Sequence, residues 1–514
     1  MTDPVAGVLF AGQRILVAGL GITGQSVVSL LSGNGAEVTA VDSRDDAERQ
    51  ALATRLAGDG VTVRLGPAEL GPGAVPPPGT TLVITSPGLR PDTPLLASAA
   101  AAGIEVIGDV ELAWRLRPRL PDGSRQQWLA ITGTNGKTTT VRMLAAMLAA
   151  AGHRSVAAGN VGTPILDVVT DPRPYPVVAV ELSSFQLYWS STITPLAAVV
   201  LNLAAHHLDW HDDLASYAAA KAKVFAPGTI AICNLADPRT VALAAAAPAS
   251  RRVGFHLGQP ASGELGVADG WLVDHAFGGS TGAAAAGGRA SGASAESTGV
   301  AAAGGRASAE GSGSVGGVRL AWVADVRPAA PHNVADALAA AALARAYGDP
   351  PDAVAAGLAA FVPEPHRIAL VAEVDGVAYV NDSKASNPAA AAASLAAFDS
   401  IVWVAGGLFR GSDEDLDGIV AAAAPRLRAV VLIGTDRARF SGALARHAPE
   451  VPVTELSSTD TGVMEHVVAK AALAARPGDT VLLAPAAQSW DMFRDYPARG
   501  DAFAAAVTRL ADRR

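Results

Sequence analysis

The segment WLAITGTNGKTTTVRMLAAMLAAAG, residues 128–152, places a glycine-containing turn between an apolar run and an Ala/Leu-rich stretch. Strand, glycine turn and helix in this order predict a phosphate-binding loop. Gly133 and Gly136 allow the backbone to turn tightly and aim its amides inward. Lys137 can then reach a β- or γ-phosphate, and Thr138 can offer its hydroxyl to Mg²⁺. The loop lacks the first glycine of the full P-loop signature, so we interpret it as a shortened variant. An ordinary strand–turn–helix with a solvated lysine is the alternative.

Short apolar runs alternate with Ala/Leu-rich stretches through most of the chain, which predicts α/β units with parallel sheets. We predict three domains in series: a Rossmann-like N-terminal domain (1–118), a P-loop-type central ATPase domain (119–363) and a Rossmann-like C-terminal domain (364–514). The polar segment RPRLPDGSRQQ is expected to link the first two. Strands are expected at RILVAGL, EVTAVD, TLVITSPG, WLAIT, VVAVELSS, LAAVVLNL, TIAICNL, VAYVNDSK, SIVWVAGG, AVVLIG and TVLLAPA.

Composition excludes several classes of protein. The 514 residues are too many for one hydrophobic core. Lys plus Arg is 39 and Asp plus Glu is 48, a formal charge of −9, so no electrostatic feature favours nucleic acid as a partner. Cys233 is the only cysteine, which rules out an intramolecular disulfide. The start, MTDPVAGVLF, has no secretory signal pattern, and no long apolar run predicts membrane insertion. We therefore expect a cytoplasmic protein.

One low-complexity segment departs from this pattern. Residues 278–317 are almost wholly Gly, Ala, Ser and Thr, and the octapeptide AAAGGRAS occurs at 284–291 and again at 301–308. Such a composition buries too little apolar surface to offset the entropy of the chain. We predict a disordered surface insertion in the central domain.

A second glycine motif, GLGITG at residues 19–24, follows the first predicted strand. It satisfies the dinucleotide-binding fingerprint. Asp42 ends the next predicted strand, where the acid of that fingerprint bonds a ribose hydroxyl. The motif predicts a phosphate-bearing ligand at a helix start but does not identify that ligand. A tight turn without a ligand is the alternative.

Polar residues that follow the strands of the central unit form a second group of candidates. Glu181, in ELSSFQLYW, ends a strand downstream of the phosphate loop, as a Mg²⁺-holding acid does. It could instead be an acid favoured by a helix N-terminus. His207, Asp209 and His211, in HHLDWH, have no spacing typical of zinc, so a harder ion or a substrate contact fits better. Lys221 is expected to be an exposed helix lysine.

Polar residues of the third unit also lie near the ends of predicted strands. They are Arg367 in PEPHRIAL, Asp382 and Lys384 in VNDSKASNP, and Ser489 in LAPAAQSWDMF. Individually, each residue is typical of a surface position or a helix cap. Because the carboxyl ends of parallel strands share one edge of a sheet, together they predict a binding edge.

Taken together, these motifs resemble those of the Mur ligases, ATP-dependent amino-acid-adding enzymes of peptidoglycan synthesis. The resemblance covers essentially the whole chain except the insertion. TGTNGKTTT occurs in several members, whereas ELSSFQL, NDSKASN and LAPAAQSWDMF favour the member that adds D-glutamate to UDP-N-acetylmuramoyl-L-alanine. The resemblance implies that the γ-phosphate of ATP converts the L-alanine carboxylate to an acyl phosphate, which the amine of D-glutamate attacks. It also implies roles in cell wall biogenesis, cell shape and cell division.

The resemblance implies the following roles at the nucleotide. The ATP-binding positions are Gly133, Thr134, Asn135, Gly136, Lys137, Thr138, Thr139, Asn333, Arg367 and Asp382. Two Mg²⁺ ions are implied, with Thr138, Glu181, His207 and Lys221 as ligands. Lys221 matches a lysine that the family carbamylates, and Lys384 matches one near the reacting phosphate. Lys137, His207, Lys221 and Lys384 are thus the implied catalytic residues.

It also implies residues for both organic substrates. The D-glutamate positions are Ser386, Arg410, Ser489, Trp490 and Tyr496. The UDP-N-acetylmuramoyl-L-alanine positions are Ile22, Thr23, Ser43, Arg44, Ser86, Asn160 and Ser183. The glycine motif at 19–24 is thereby reassigned from a dinucleotide to a uridine diphosphate.

Three alternatives remain open on the sequence. A Mur-type ligase could add a different amino acid to a UDP-muramoyl or folate acceptor. An NAD-dependent oxidoreductase would use GLGITG and Asp42, but it leaves Lys137, Glu181 and the third sheet without a role. A nucleotide-gated scaffold would carry out no chemistry. We expect small-molecule substrates, no nucleic acid and a monomer.

Overall fold

The computed structural model describes residues 10–278, 317–457 and 462–513. The predicted insertion lies outside these ranges apart from its end residues, Gly278 and Gly317. The first nine residues, which carry most of the segment tested for a secretory signal, lie outside them too. Three separate sheets occur in series along the chain, which confirms the predicted α/β class. Within the described ranges, no helix is both long enough and apolar enough to cross a membrane.

The first sheet has five parallel strands in the order β3-β2-β1-β4-β5. Its strands are β1 Arg14–Ala18, β2 Glu37–Asp42, β3 Thr62–Leu65, β4 Leu82–Thr85 and β5 Glu105–Gly108. The helices of this unit are α1 Ile22–Gly33, α2 Ala47–Gly58, α3 Pro94–Ala101 and α4 Asp109–Arg115. The crossover at β1 between β2 and β4 is the topological switch point at which ligands of such sheets bind.

The central sheet has nine strands in the order β14-β13-β12-β11-β10-β9-β6-β8-β7, and only the pairs that include β13 are antiparallel. The strands are β6 Gln127–Thr132, β7 Ala157–Gly159, β8 Val177–Glu181, β9 Ala197–Val200, β10 Ile230–Asn234, β11 Arg251–Phe255, β12 Glu264–Ala268, β13 Trp271–Asp274 and β14 Val318–Trp322. Its helices are α5 Lys137–Ala150, α6 Ile165–Val169, α7 Ser184–Tyr188, α8 Leu208–His211, α9 Leu214–Ala222, α10 Pro238–Ala246, α11 Pro331–Tyr347 and α12 Pro351–Ala360.

The third sheet has six strands in the order β15-β16-β20-β17-β18-β19, and only β15 is antiparallel to its neighbour. Its strands are β15 Ala369–Val374, β16 Val377–Asn381, β17 Ile401–Gly406, β18 Leu427–Ile433, β19 Val453–Glu455 and β20 Thr480–Leu483. Its helices are α13 Pro388–Leu395, α14 Asp413–Ala423, α15 Arg437–His447, α16 Val463–Ala474 and α17 Tyr496–Asp512.

Every strand expected from an apolar run is present, but several strands had no such signal. The missed strands are β3, β5, β7, β11, β12, β13, β14, β15 and β19. Many are short or half-exposed: β3 has no buried residue and β19 spans three residues. A strand without a continuous apolar run cannot be told from a loop by periodicity, so these strands depend on pairing with their neighbours.

The core of the central unit explains its Ala-rich helices. Helices α11 and α12 both pack on α5, the helix that follows the phosphate loop. Almost all of α11 is buried, from Asn333 to Arg345, and its alanines allow the close helix packing. Pairing of Ile131 with Glu181, and of Thr132 with Val200, aligns the carboxyl ends of β6, β8 and β9. This alignment brings the polar segments that follow these strands to one edge of the sheet.

Gly24 in α1 provides a test of the first glycine motif. A Cβ at Gly24 would overlap the carbonyl oxygen of Gly19. We therefore expect Gly24→Ala to lower the free energy of unfolding by about 1–3 kcal/mol through overpacking. Urea unfolding measures this change. The matched control is Gly33→Ala in the same helix, where a Cβ meets no atom within 4 Å. Equal stability of the two variants would contradict the close approach.

Candidate active site

The phosphate loop lies between β6 and α5, as the sequence predicts. Gly133 has φ 149° and Gly136 has φ 83°, values that favour glycine. A Cβ at Gly136 would overlap the carboxylate of Asp336 on α11. Asn202, after β9, holds the loop from the other side, because its side chain accepts from the amide of Asn135 at 2.8 Å and donates to its carbonyl at 3.2 Å. The loop is therefore held in shape by two other segments.

Lys137 begins α5 and bends back over the loop. Its Nζ donates to the carbonyl oxygens of Gly133 at 3.0 Å and Thr134 at 2.9 Å. Burial lowers the pKa of its ammonium; Glu181 opposes this effect, whereas Arg367 and Lys384 add to it. Arg367 and Lys384, which belong to the third unit, line the same cavity as Lys137, so cations from two units face one space.

Glu181 and Thr138 form a pair of hard oxygen ligands at the same edge. The Thr138 hydroxyl donates to Glu181 Oε2 at 2.9 Å, and Asn160 Nδ2 donates to Oε1 at 2.9 Å. Among the residues that the structure describes, no group of three or more His, Cys, Asp or Glu side chains could hold a metal ion. Mg²⁺ is typically held by one or two protein oxygens together with substrate phosphates and waters. The Glu181–Thr138 pair fits that requirement.

Lys221 on α9 is not the exposed lysine that the sequence suggests. Its side chain is 1% exposed, and its Nζ donates to the Thr132 hydroxyl at 3.1 Å and the Gly133 carbonyl at 2.9 Å. Burial, followed by the charge of Lys137, lowers the pKa of this amine well below its ordinary value. The prediction was wrong because α9 turns Tyr217 and Lys221, one helical turn apart, toward the phosphate loop. Tyr217 there bonds Thr134 at 3.1 Å.

The three histidines of HHLDWH occupy different places. His206 lines the cavity, and burial and the adjacent His207 lower its pKa to about 3. His207 is exposed, has φ 56° and packs its ring on Phe185 at 4.7 Å. His211 is buried and contacts the Ser184 hydroxyl at 2.9 Å through Nε2. The rings of His206 and His207 touch, with centroids 3.8 Å apart, but only His206, which the sequence did not single out as a site residue, lines the cavity.

The connector between the second and third sheets carries Arg367. Glu364 accepts from Arg367 Nε at 2.8 Å and also pairs with Arg142 of α5 at 2.9 Å. Asn387 Nδ2, at the start of α13, reaches Asn135 Oδ1 in the phosphate loop at 3.2 Å. The third unit thus contacts the nucleotide loop directly.

Asp382 and Lys384 follow β16 and face the same space. Asp382 accepts from the Ser394 hydroxyl, and burial raises the pKa of its carboxyl to about 6. Lys384 Nζ lies 3.8 Å from the ring centroid of Tyr496. This contact holds the lysine between the cavity and the start of α17.

A cavity of about 620 Å³ collects most of the predicted nucleotide-site residues. Its predicted lining residues are Thr134, Asn135, Gly136, Lys137, Thr138, Thr139, Asn160, Glu181, Asn333, Arg367, Asp382, Lys384 and Ser386. Residues that the sequence did not select include Asn202, His206, His332, Asp336, Asn387 and Gln488. Asn202 and Asn387 lie within the quoted segments LAAVVLNL and VNDSKASNP, so their polar character at strand and helix ends was an available signal. Asp336 lies in an alanine-rich helix and had none.

Other predicted residues lie outside this cavity lining. They are Gly133, Ser183, His207, Lys221, Arg410, Ser489, Trp490, Tyr496, Ile22, Thr23, Ser43, Arg44 and Ser86. Gly133 belongs to the phosphate loop itself, Lys221 lies directly behind that loop, and Ser183 caps α7. Ser489 is 3% exposed, whereas Trp490 is 65% exposed and Arg410 is exposed at the end of the loop after β17.

The acid that follows the first glycine motif, Asp42, is bonded to the backbone of two turns. Both oxygens of Asp42 accept backbone amides, from Leu20 at 2.7 Å and Arg44 at 2.9 Å. This differs from the placement that the dinucleotide rule predicts, because the short turn folds the amide of Leu20 onto the carboxylate. Ile22 is 81% exposed at the start of α1, and Ser86 donates to the carbonyl of Gly19 at 3.3 Å. The surface around the turn is therefore open at Ile22, and Asp42 helps to fix the shape of the turn.

Comparison with known proteins places these features in one family. Three family models match the chain: the Mur ligase MurD-like N-terminal domain at residues 13–108, the Mur ligase middle domain at 131–267 and the Mur ligase glutamate ligase domain at 366–487. The UDP-N-acetylmuramoylalanine–D-glutamate ligase of Thermobifida fusca is 53% identical, covering 97% of this chain and 99% of its own. The enzyme of that name from Streptomyces coelicolor is 50% identical, and the match covers 98% of this chain and 99% of the relative.

Solved structures show the same fold at much lower identity. The UDP-N-acetylmuramate–alanine ligase MurC of Thermotoga maritima aligns with a TM-score of 0.51 at 16% identity, covering 98% of this chain and 100% of its own. A pseudomurein peptide ligase of type C from Methanothermus fervidus aligns with a TM-score of 0.52 at 17% identity. The alignment covers 97% of this chain and 100% of that ligase. These likenesses concern the three-unit architecture alone. With the relatives about half identical over nearly their full length, the chain belongs to the Mur ligase family.

Proposed function

We propose that this chain joins the carboxylate of UDP-N-acetylmuramoyl-L-alanine to the amine of D-glutamate, with conversion of ATP to ADP and phosphate. The names of its relatives support this activity, and one structural observation carries it. Lys137 of the phosphate loop shares a cavity with Arg367 and Lys384 of the third unit. Cations from two units around one space suit a reaction in which a phosphoryl group passes from a nucleotide to a second substrate.

The chemistry has two steps. An oxygen of the L-alanine carboxylate attacks the γ-phosphorus of ATP, ADP leaves and an acyl phosphate forms. The amine of D-glutamate then attacks the carbonyl carbon, inorganic phosphate leaves and the amine loses a proton, which gives an amide. A free carboxylate is a poor electrophile, and phosphorylation removes its charge while it installs a leaving group. The protein's contribution is to position the reactants and neutralise phosphoryl charge.

The proposed roles of the residues follow this sequence of steps. Lys137, Arg367 and Lys384 balance the charge of the phosphoryl group in transfer. Glu181 and Thr138 would hold Mg²⁺, which when bound neutralises phosphate oxygens. Lys221, we propose, reacts as a neutral amine with CO₂, forming an N–C bond and losing a proton, so that it presents a carboxylate-like group for a second ion. His207 would serve that second ion only after its exposed ring turns inward.

The remaining assignments concern the two organic substrates and the organisation of the chain. The UDP group is proposed to lie on the turn at residues 19–24, and D-glutamate beside Ser386 and Ser489. Domain limits at about residues 118 and 363, a monomeric state and a cytoplasmic location are part of the same proposal. Through this reaction the chain would supply a peptidoglycan precursor and so contribute to cell shape and division.

An ADP-release assay across a panel of amino acids tests the proposed function. With UDP-N-acetylmuramoyl-L-alanine, Mg²⁺ and ATP present, we expect ADP release to require D-glutamate, and mass spectrometry to detect the new amide. L-glutamate and meso-diaminopimelate are the competing amino acids, and omission of the acceptor is the control. Turnover with meso-diaminopimelate or L-glutamate instead of D-glutamate would assign the chain to a different amino acid. Release independent of any amine would refute ligation.

A further inference from the structure

Arg499, in the first turn of α17, is a buried cation outside the nucleotide cavity. It is 1% exposed, and its three guanidinium nitrogens each donate a hydrogen bond. Nε donates to the Ser383 hydroxyl at 3.0 Å, Nη2 to the Ser383 carbonyl at 2.8 Å and Nη1 to the Ala487 carbonyl at 3.0 Å. Across the described ranges, no carboxylate lies within ion-pair distance of it. Burial lowers the pKa of the guanidinium to about 9, and the charge of Asp491 opposes this shift, so the group is charged at neutral pH.

The acceptors of Arg499 lie on two loops that follow adjacent parallel strands. Residues 382–387, after β16, form the first loop and carry Lys384 and Ser386. Residues 484–490, after β20, form the second loop and carry Ser489. Few other bonds join the two: the amide of Ala486 donates to the carbonyl of Ala385 at 2.9 Å. Arg499 therefore supplies direct hydrogen bonds to both loops at once.

Both loops have local features that need external support. Ala486 has φ 59°, in the left-handed region that non-glycine residues seldom occupy. The Ser383 hydroxyl accepts from Arg499 and donates to the carbonyl of Tyr496 at 2.8 Å, which ties the first loop to the start of α17. The second loop is joined to the loop after β17 by reciprocal bonds between Leu408 and Gln488, both 2.9 Å. The guanidinium lies at the centre of this arrangement.

A buried charge without an ionic partner is costly to remove from water, and hydrogen bonds to its neighbours must offset that cost. A planar group with donors in fixed directions does, however, impose a set distance between its acceptors. We propose that Arg499 is a positioning residue for the amino-acid substrate. It holds the loop of Lys384 and Ser386 against the loop of Ser489 at the spacing which that substrate requires. This inference rests on the proposed function, which places the amino acid between these loops.

Kinetics of Arg499 variants in the full-length enzyme test the inference. We expect Arg499→Lys, which keeps the charge but cannot reach all three acceptors, to raise the KM for D-glutamate about tenfold or more. The KM for ATP should rise clearly less than the KM for D-glutamate. The loop that Arg499 bonds also carries Asp382 and Lys384, but the phosphate loop itself makes no hydrogen bond with Arg499. The matched control is Arg509→Lys on the same helix, whose side chain is 46% exposed and pairs with Glu465. It should leave both KM values unchanged.

Chemical rescue and a milder variant distinguish positioning from stability. Guanidinium ion at millimolar concentration should restore activity to Arg499→Ala by occupying the vacated site, without effect on Arg509→Ala. If Arg499 variants do not fold, Ser383→Ala decides the question. It removes the hydroxyl between Arg499 and Tyr496, and should raise the KM for D-glutamate about threefold or more.

Three outcomes overturn the inference. The first is a folded Arg499 variant with an unchanged KM for D-glutamate, and the second is an equal rise in the KM for ATP. The third applies if the Arg499 variants do not fold, and it is a Ser383→Ala enzyme with an unchanged KM for D-glutamate. A wild-type enzyme that ignores D-glutamate overturns the proposed function instead. The same comparison is then made with the amino acid that drives ADP release.

Discussion

Lys137→Ala is expected to reduce kcat/KM for ATP by about a hundredfold to a thousandfold, the usual effect of removing one preorganised charge from a transition state. Among the residues that the structure describes, the Lys137 ammonium donates hydrogen bonds to the loop carbonyls of Gly133 and Thr134. Water can replace those bonds, so thermal unfolding should change little. Steady-state ADP release with both organic substrates measures the effect.

The control for this variant is Lys470→Ala, an exposed lysine of α16 in the third unit. It should retain full activity. A Lys137→Ala enzyme that is folded and as active as the wild type would remove the phosphate loop from the mechanism. The scaffold alternative would then regain support, since it predicts that no chemistry depends on this lysine.

Lys221→Ala is expected to inactivate the enzyme by about a thousandfold or more, and short carboxylic acids such as formate or acetate are expected to restore part of the activity. The reason is geometric. The amine lies behind the phosphate loop, within 3.1 Å of Thr132 and 2.9 Å of Gly133. A carboxylate bound in the vacated space can present the oxygens that a carbamate would present to a metal ion.

Two measurements complete this test. Lys223→Ala, two residues further on, is the matched control, because its Nζ bonds the carbonyl oxygens of Tyr188 and Ser190 rather than the phosphate loop. It should be active and indifferent to added acids. Mass spectrometry of the native enzyme should detect one added CO₂ on a peptide containing Lys221. Full activity of the Lys221→Ala enzyme without added acid would refute the carbamate.

The local features of the site were predictable, and the contacts between distant segments were not. The order of β6, glycine turn and α5, and the position of Glu181 at the end of β8, follow from hydrophobic patterning over a few neighbouring residues. The buried amine of Lys221, by contrast, bonds the Thr132 hydroxyl, 89 positions earlier in the chain. Its own helix is rich in alanine and gives no sign of which face is covered.

The α/β class, the phosphate loop and the family were all predictable from contiguous residues, because strand periodicity and motif chemistry are local properties of the chain. Three other features became visible in three dimensions: His206 rather than His207 lines the cavity, Asp42 bonds backbone amides, and Arg499 joins two loops. The tertiary structure also decided that Asn387 reaches Asn135 across 252 positions. The physical reason is that burial, pKa shifts and charge pairing depend on distances in space, which strand pairing and domain contacts set.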